Sequence, residues 1–181
     1  AMGPPGGGRN LLTVRFMRHL NMVSCPDPTD AVVQQIFEHI LASSMQTRGL
    51  KQAFVEMSSA IVAATVGAYN VVKAEMLPTP VKSHYTFNLR DVARVVQGIM
   101  LADASTFEEP TDLMLLWAHE FLRVFYDRLV DDADRSCVLD RMRALCRIHF
   151  VSQDGTPISI DELMAPFDAN NNKTFDDEDV G

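Results

Sequence analysis

The sequence is poor in the features that mark secreted, membrane-spanning and disulfide-rich proteins. Its three cysteines are widely spaced, odd in number and without a CxxC pair, which predicts a reduced, cytosolic protein. The opening AMGPPGGGRN lacks the apolar core of a secretory signal peptide. We also expect no apolar run long enough to span a bilayer. These absences favour an ordinary globular chain without a membrane partner.

Positive charge is also scarce. The chain has 16 Lys and Arg against 24 Asp and Glu, which gives a formal net charge of -8. This balance argues against broad electrostatic binding of nucleic acid or of an anionic membrane. It leaves room for a local basic cluster, and Arg9, Arg15 and Arg18 form one near the start.

No complete catalytic or metal-binding motif is present. His119-Glu120 resembles the zinc motif HExxH, but Arg123 stands where the second histidine belongs. Residues 168–179 superficially match a calcium loop, but Lys173 occupies the turn that needs glycine. The glycine-rich opening lacks GxxxxGK[ST], the loop that binds nucleotide phosphates. We therefore predict no metal site and no independent enzyme. A calcium-responsive tail on a helical adaptor is the alternative.

The apolar residues of the sequence recur mostly with the period of an α-helix. Hydrophobic residues make up 47% of the chain, enough for one core of ordinary size. Apolar side chains recur at helical spacing between loops rich in proline and glycine, and predict a mainly α fold. The expected helices cover residues 11–20, 30–45, 50–76, 88–102, 111–130 and 136–150, with a short strand at 21–24. Residues 151–181 have few large apolar side chains, and we expect a mobile linker there.

One helix start carries an arginine against local preference. Asn88 fits an N-cap with Asp91 as its capping-box partner, and Phe87 with Val92 fits a hydrophobic staple. Arg90 lies inside this first turn, facing the positive end of the helix dipole at a cost of a few tenths to ~1 kcal/mol. Such a placement predicts an anionic partner, namely phosphate. The alternative is a surface arginine paired with Asp91.

Two long motifs carry a family resemblance. The segment MGPPGGGRNLLTVRFMRHLNMV, followed by LPTPVKSHYTFNLRDVARVVQGI, resembles the third AAA+ module of dynein heavy chains, with HYTFNLRD closer to axonemal types. The resemblance covers roughly residues 2–150. It implies a helical AAA+ lid bundle at 28–150, preceded at 1–24 by a short remnant of the large α/β AAA+ subdomain. Residues 151–181 would then form the linker toward the next module.

The resemblance also implies roles for three arginines. Arg90 corresponds to the sensor-two arginine, which faces the phosphates of ATP or ADP bound to its own module. Arg18 corresponds to an arginine finger for the preceding module, with Arg15 as the runner-up. Structural salt bridges at a module interface are the alternative. Gly3 stands where many AAA+ modules carry a polar sensor-one residue, which favours a regulatory nucleotide site.

The resemblance implies that the larger protein is an ATP-driven microtubule motor of cilia. Its lid would close over nucleotide and relay that state to neighbouring AAA+ modules of the same heavy chain. Intermediate and light chains and microtubules would bind other regions, in the cytoplasm, the cytoskeleton and the ciliary axoneme. Walker A and Walker B segments would lie upstream, so the fragment alone would be inactive, and Mg²⁺ would bind only the full module. The abrupt ends of the chain fit a fragment.

A free-standing helical protein-interaction module is the competing hypothesis. It assigns no nucleotide-linked role to the arginines and predicts a well-packed N-terminal segment. The hypothesis of a motor fragment predicts instead that apolar residues between 11 and 23 are exposed, because their partner strands belong to other parts of the larger protein.

Overall fold

The computed structural model describes residues 3, 10–103, 105 and 107–150. Within these residues the chain is mainly α-helical, as predicted, and residues 21–24 form no strand. In chain order the described elements are α1 (Val14–Met17), α2 (Asp30–Thr47), α3 (Gln52–Glu75), α4 (Leu89–Leu101), α5 (Pro110–Phe121), a π-helical segment (Leu122–Tyr126) and α6 (Asp132–His149). The predicted linker lies outside the described residues, and the division at 1–24, 28–150 and 151–181 stays a prediction.

Helix α2 ends at the glycine that the sequence provides. Gly49 has a φ of 75°, which suits a residue without a side chain. Its N–H donates to the carbonyl of Gln46 at 3.0 Å, and the N–H of Leu50 donates to the carbonyl of Met45 at 3.1 Å. This pair of bonds is a Schellman motif, which satisfies the last carbonyls of the helix and turns the chain toward α3.

Helix α3 is the centre of the bundle and packs against α2, α4, α5 and α6. By length and composition alone it could cross a bilayer, contrary to the prediction that no segment is long enough. However, 56% of the most apolar 18-residue stretch of this helix is buried against the other helices. Gly67 allows a close approach here, because a Cβ at this position would lie 3.2 Å from Leu145 of α6. The apolar length of α3 thus serves the core of the bundle.

A hydrogen-bonded tryptophan joins α5 to α3 and to the residue that follows α6. The Nε1 of Trp117 in α5 donates to the hydroxyl of Thr65 in α3 at 2.8 Å, and that hydroxyl donates to the carbonyl of Ile61 at 2.7 Å. The indole ring also packs on Phe121 and Phe150, with centroids 5.6 and 5.2 Å apart. Because every polar atom of this buried group has a partner, the core loses little by enclosing it.

The apolar face of α2 is only partly buried. Val33 and Leu41 are buried, but Val32, Ile36 and Ile40 are between 44% and 51% exposed. The helix contacts α3 and α4 along a stripe narrower than its apolar face. Periodicity therefore located the helix correctly and overestimated how much of it is covered.

The N-terminal segment forms only the four-residue α1 and buries no side chain of that helix. It is shorter than the helix predicted at 11–20. Six of its large apolar side chains are 48% to 83% exposed, as expected if their partners belong to other parts of a larger protein: Leu11, Val14, Phe16, Leu20, Met22 and Val23. Leu12 and Met17 are partly buried.

Candidate functional site

The start of α4 has the capping geometry that the sequence predicts. The side-chain oxygen of Asn88 accepts the N–H of Arg90 at 2.9 Å, and the carboxylate of Asp91 accepts the N–H of Asn88 at 2.9 Å. Phe87 and Val92, the predicted staple, are both buried. This local network orders the first turn and places Arg90 at its second position.

Arg90 is exposed, and Asp91 is not its partner. In the part of the chain that the structure describes, the guanidinium of Arg90 makes no ion pair or hydrogen bond. The carboxylate of Asp91 is bonded instead to Arg128 at 2.9 Å and, more weakly, to Arg94 at 3.5 Å. The surface pair proposed as the alternative role for Arg90 is therefore not formed.

Arg128 connects the loop before α4 to the region that follows the π-helical segment. Besides Asp91, its guanidinium donates to the carbonyl of Thr86 at 3.3 Å and lies 5.0 Å from the ring centroid of Phe87. Its side chain is only 23% exposed. With all these contacts in place, Arg128 holds the N-terminus of α4 rather than remaining free for a ligand.

These residues line an open cleft of about 370 Å³ at the N-terminus of α4. Its lining consists of His84, Thr86, Asn88, Arg90, Asp91, Arg94 and Arg128. Three guanidinium groups line the cleft against one carboxylate, so it is net positive within a chain of net charge -8. The positive end of the α4 dipole adds to this potential. The arrangement suits a phosphate group.

A second cleft of about 340 Å³ shares Arg94 and Arg128 with the first, and adds Arg123 and Asp127. Arg123, the arginine found only in the second cleft, is already paired, because both its Nε and its Nη2 donate to the carboxylate of Glu120. These hydrogen bonds raise the pKa of Arg123. With Asp127 present and Arg123 paired, the second cleft offers less free positive charge than the first.

The incomplete zinc motif has a structural role in α5. Glu120 is only 8% exposed, and its carboxylate pairs with Arg123. His119 lies 3.3 Å from the same carboxylate. No group of three or more His, Cys, Asp or Glu suited to a metal ion occurs among the described residues. The calcium-like segment 168–179 lies outside them.

The two N-terminal arginines, for which the resemblance implies a different role from that of Arg90, lie outside the cleft. Arg15 and Arg18 are exposed on and after α1, and neither lines the cleft around Arg90. Arg94 and Arg128 do line it, and neither was among the site residues predicted from the sequence. The spacing of four from Arg90 could have indicated Arg94, whereas Arg128 is 37 residues from Asp91 along the chain.

Comparisons with known proteins agree with the helical fold. Residues 61–158, which include α4 and its cleft, match the family described as AAA+ lid domain. The chain is 41% identical over 150 residues to dynein axonemal heavy chain 12 of Mus musculus, which covers 83% of this chain. It is 44% identical over 135 residues to dynein axonemal heavy chain 6 of Homo sapiens, covering 75% of this chain. The chain spans 5% of the former and 3% of the latter.

Proposed function

This chain belongs to the AAA+ lid domain family, and from that premise we propose that it is a segment of an axonemal-type dynein heavy chain. In this proposal it is the lid of the third AAA+ module. The lid closes over ATP or ADP held mainly by upstream segments and passes the nucleotide state to neighbouring modules. Mg²⁺ would bind with those same segments. Closure of a lid over phosphate is a rigid-body switch between two arrangements.

The exposed guanidinium of Arg90 carries the proposal. It stands in the first turn of α4, in a net positive cleft, without a partner among the described residues. A planar, permanently charged donor fork suits a terminal phosphate shared between a lid and the body of a module. Binding to phosphate would also compensate for the unfavourable position of a cation at a helix N-terminus.

Arg18 has a separate role in this proposal, as an arginine finger toward the preceding module. It follows α1 in a segment where most large apolar side chains are exposed, which supports contact with another part of the heavy chain. Arg18→Ala in the intact motor should slow ATP hydrolysis in the preceding module, with a smaller effect from Arg15→Ala. If the only change were lower stability, Arg18 would have a structural role.

The names of the relatives support the proposed setting, which is the axoneme of a cilium within the cytoskeleton. Partners of the segment itself would be neighbouring AAA+ modules of the same chain. Intermediate and light chains and microtubules would contact other regions of the motor. The whole assembly would couple ATP hydrolysis to movement along microtubules.

The central experiment places Arg90→Ala in the intact heavy chain. We expect the affinity of the third module for ATP to fall about tenfold, which corresponds to one charge-assisted hydrogen bond. Folding should change little, because Arg90 contributes only its backbone to the described hydrogen bonds. Arg141→Ala is the control, since this exposed arginine pairs with Glu75 away from the cleft. Unchanged ATP affinity and motility for Arg90→Ala would contradict the sensor role.

A further inference from the structure

We infer that Arg94 is a second phosphate-binding residue of the cleft, and that it exchanges its contact with Asp91 for a phosphate next to the one that Arg90 binds. The inference rests on the proposed function, because it assumes a nucleotide in this cleft. It adds a residue and a requirement on the ligand, which must carry at least two linked phosphates.

Helix geometry places Arg94 beside Arg90. Residues four apart lie on the same face of a helix, with Cβ atoms roughly 5–6 Å apart. Both side chains line the same cleft, and the Arg94 side chain is 52% exposed. Two guanidinium groups one turn apart can therefore approach one bound anion from the same helix.

The present contact of Arg94 is weak. Its Nη1 lies 3.5 Å from the Oδ1 of Asp91, at the outer limit of a hydrogen bond. The same oxygen accepts Nη2 of Arg128 at 2.9 Å, while Oδ2 accepts the backbone N–H of Asn88 at 2.9 Å. Asp91 therefore remains bonded on both oxygens if Arg94 leaves, and the exchange exposes no unpaired buried charge.

Arg128 does not compete for the same role. Three interactions hold it, to Asp91, to the Thr86 carbonyl and over the Phe87 ring, and its side chain is less exposed than that of Arg94. The two arginines with freedom to move are Arg90 and Arg94. Each guanidinium fork binds one phosphate well, so the pair favours a nucleoside diphosphate or triphosphate over a monophosphate.

The test uses an intact heavy chain whose other nucleotide sites are disabled at their Walker A lysines. Arg94→Ala should lower ATP affinity about tenfold and leave AMP affinity unchanged, because only ATP offers the neighbouring phosphate. Arg94→Lys should recover part of the loss by restoring charge without the fork. Arg143→Ala is the matched control, since Arg143 forms an i, i+3 pair with Asp140 at 3.3 Å and does not line the cleft.

Several outcomes would overturn the inference. If Arg90→Ala weakens ATP binding and Arg94→Ala does not, the inference is wrong and the proposed function stands. If neither changes it, both are wrong. An equal loss of ATP and AMP affinity, or an equal loss in Arg143→Ala, would also overturn the role of Arg94. Arg94→Gln keeps most of the aliphatic stem, and is the variant to measure if Arg94→Ala lowers the urea midpoint.

Discussion

The Oδ1 of Asp91 lies 2.9 Å from the Nη2 of Arg128, and this ion pair joins the first turn of α4 to the residues after the π-helical segment. Asp91 is 2% exposed, so its carboxylate has lost most of its contact with water. A buried carboxylate needs compensating partners, and Arg128 is the strongest one here. Because Asp91 also caps Asn88, the pair orders the turn that presents Arg90 and Arg94.

Replacing Arg128 should therefore destabilise the bundle. Arg128→Ala leaves the buried carboxylate of Asp91 with weaker partners, and we expect a loss of about 2–4 kcal/mol in the free energy of unfolding. Urea unfolding of the chain measures it. Arg141→Ala removes a more exposed pair with Glu75 and should cost less than about 1 kcal/mol. Equal, small losses in the two variants would show that the Asp91 pair contributes little.

Gly98 allows α4 and α5 to pack around a buried carboxylate. A Cβ at this position would overlap the carboxylate of Glu120 and lie 2.8 Å from its Cγ. Glu120 cannot turn away easily, because two hydrogen bonds from Arg123 hold it. Glycine is here a packing requirement, although alanine is the better helix former.

Gly98→Ala should consequently lower stability by about 1–3 kcal/mol, since overpacking outweighs the gain in helix propensity. In a Glu120→Ala background the same change should be neutral or stabilising by up to about 1 kcal/mol. A double-mutant cycle of urea unfolding free energies checks both statements. If Gly98→Ala stabilised the chain in both backgrounds, the contact with Glu120 would not limit packing.

Short-range features of the fold could be predicted from the sequence because their determinants lie within one or two turns. The capping box from Asn88 to Asp91 spans four residues, and Gly49 ends α2 through bonds to the turn just before it. Each is a local choice of residue with a local physical reason. The same holds for the helical spacing that located the described helices.

Contacts between distant residues could not be predicted this way. The bond from Trp117 to Thr65 joins residues 52 apart, and the pair of Arg128 with Asp91 joins residues 37 apart. No periodicity relates such positions. The exposed face of α2 was missed for a similar reason, because the width of a buried stripe depends on the neighbouring helices. The cleft consists of residues that only the folded chain brings together.

The three cysteines should differ in reactivity. Cys25 is exposed, whereas Cys146 is fully buried and burial raises the pKa of its thiol. Cys137 is intermediate, and its S–H donates to the carboxylate of Glu75 at 3.0 Å, which raises its pKa. Because the thiolate is the nucleophile, iodoacetamide at neutral pH should label Cys25 first, Cys137 more slowly and Cys146 only when the bundle opens.

Mass spectrometry of the labelled chain over time checks this order. Glu75→Gln gives a specific variant, because a neutral amide no longer stabilises the thiol form of Cys137 by charge. That change should speed the labelling of Cys137 and leave Cys25 unchanged. Labelling of Cys146 as fast as Cys25 under native conditions would contradict the buried position in α6.

A second charged cluster joins the loop after α3 to the start of α6. Lys82 pairs with both Asp131 and Asp134. The hydroxyl of Tyr85 donates to Asp134 at 3.0 Å and accepts the N–H of Val130 at 3.0 Å. The hydrogen bond from Lys82 holds the pKa of Asp134 below its ordinary value, and the bond from Tyr85 contributes in the same direction.

This shift makes part of the stability dependent on pH. The unfolded chain binds a proton at Asp134 more readily than the folded chain does, so stability from this group is present above its ordinary pKa. It is lost as the pH falls below about 4 and passes through the lower folded pKa.

Asp134→Asn should therefore lower stability at pH 6 and reduce its fall between pH 6 and pH 3, as measured by urea unfolding at both values. Asp140→Asn, which removes a surface partner of Arg143, provides the comparison. If Asp134→Asn left the pH dependence equal to that of the unchanged chain, Lys82 and Tyr85 would not be stabilising the charged carboxylate, and the link between the loop and α6 would depend on packing alone.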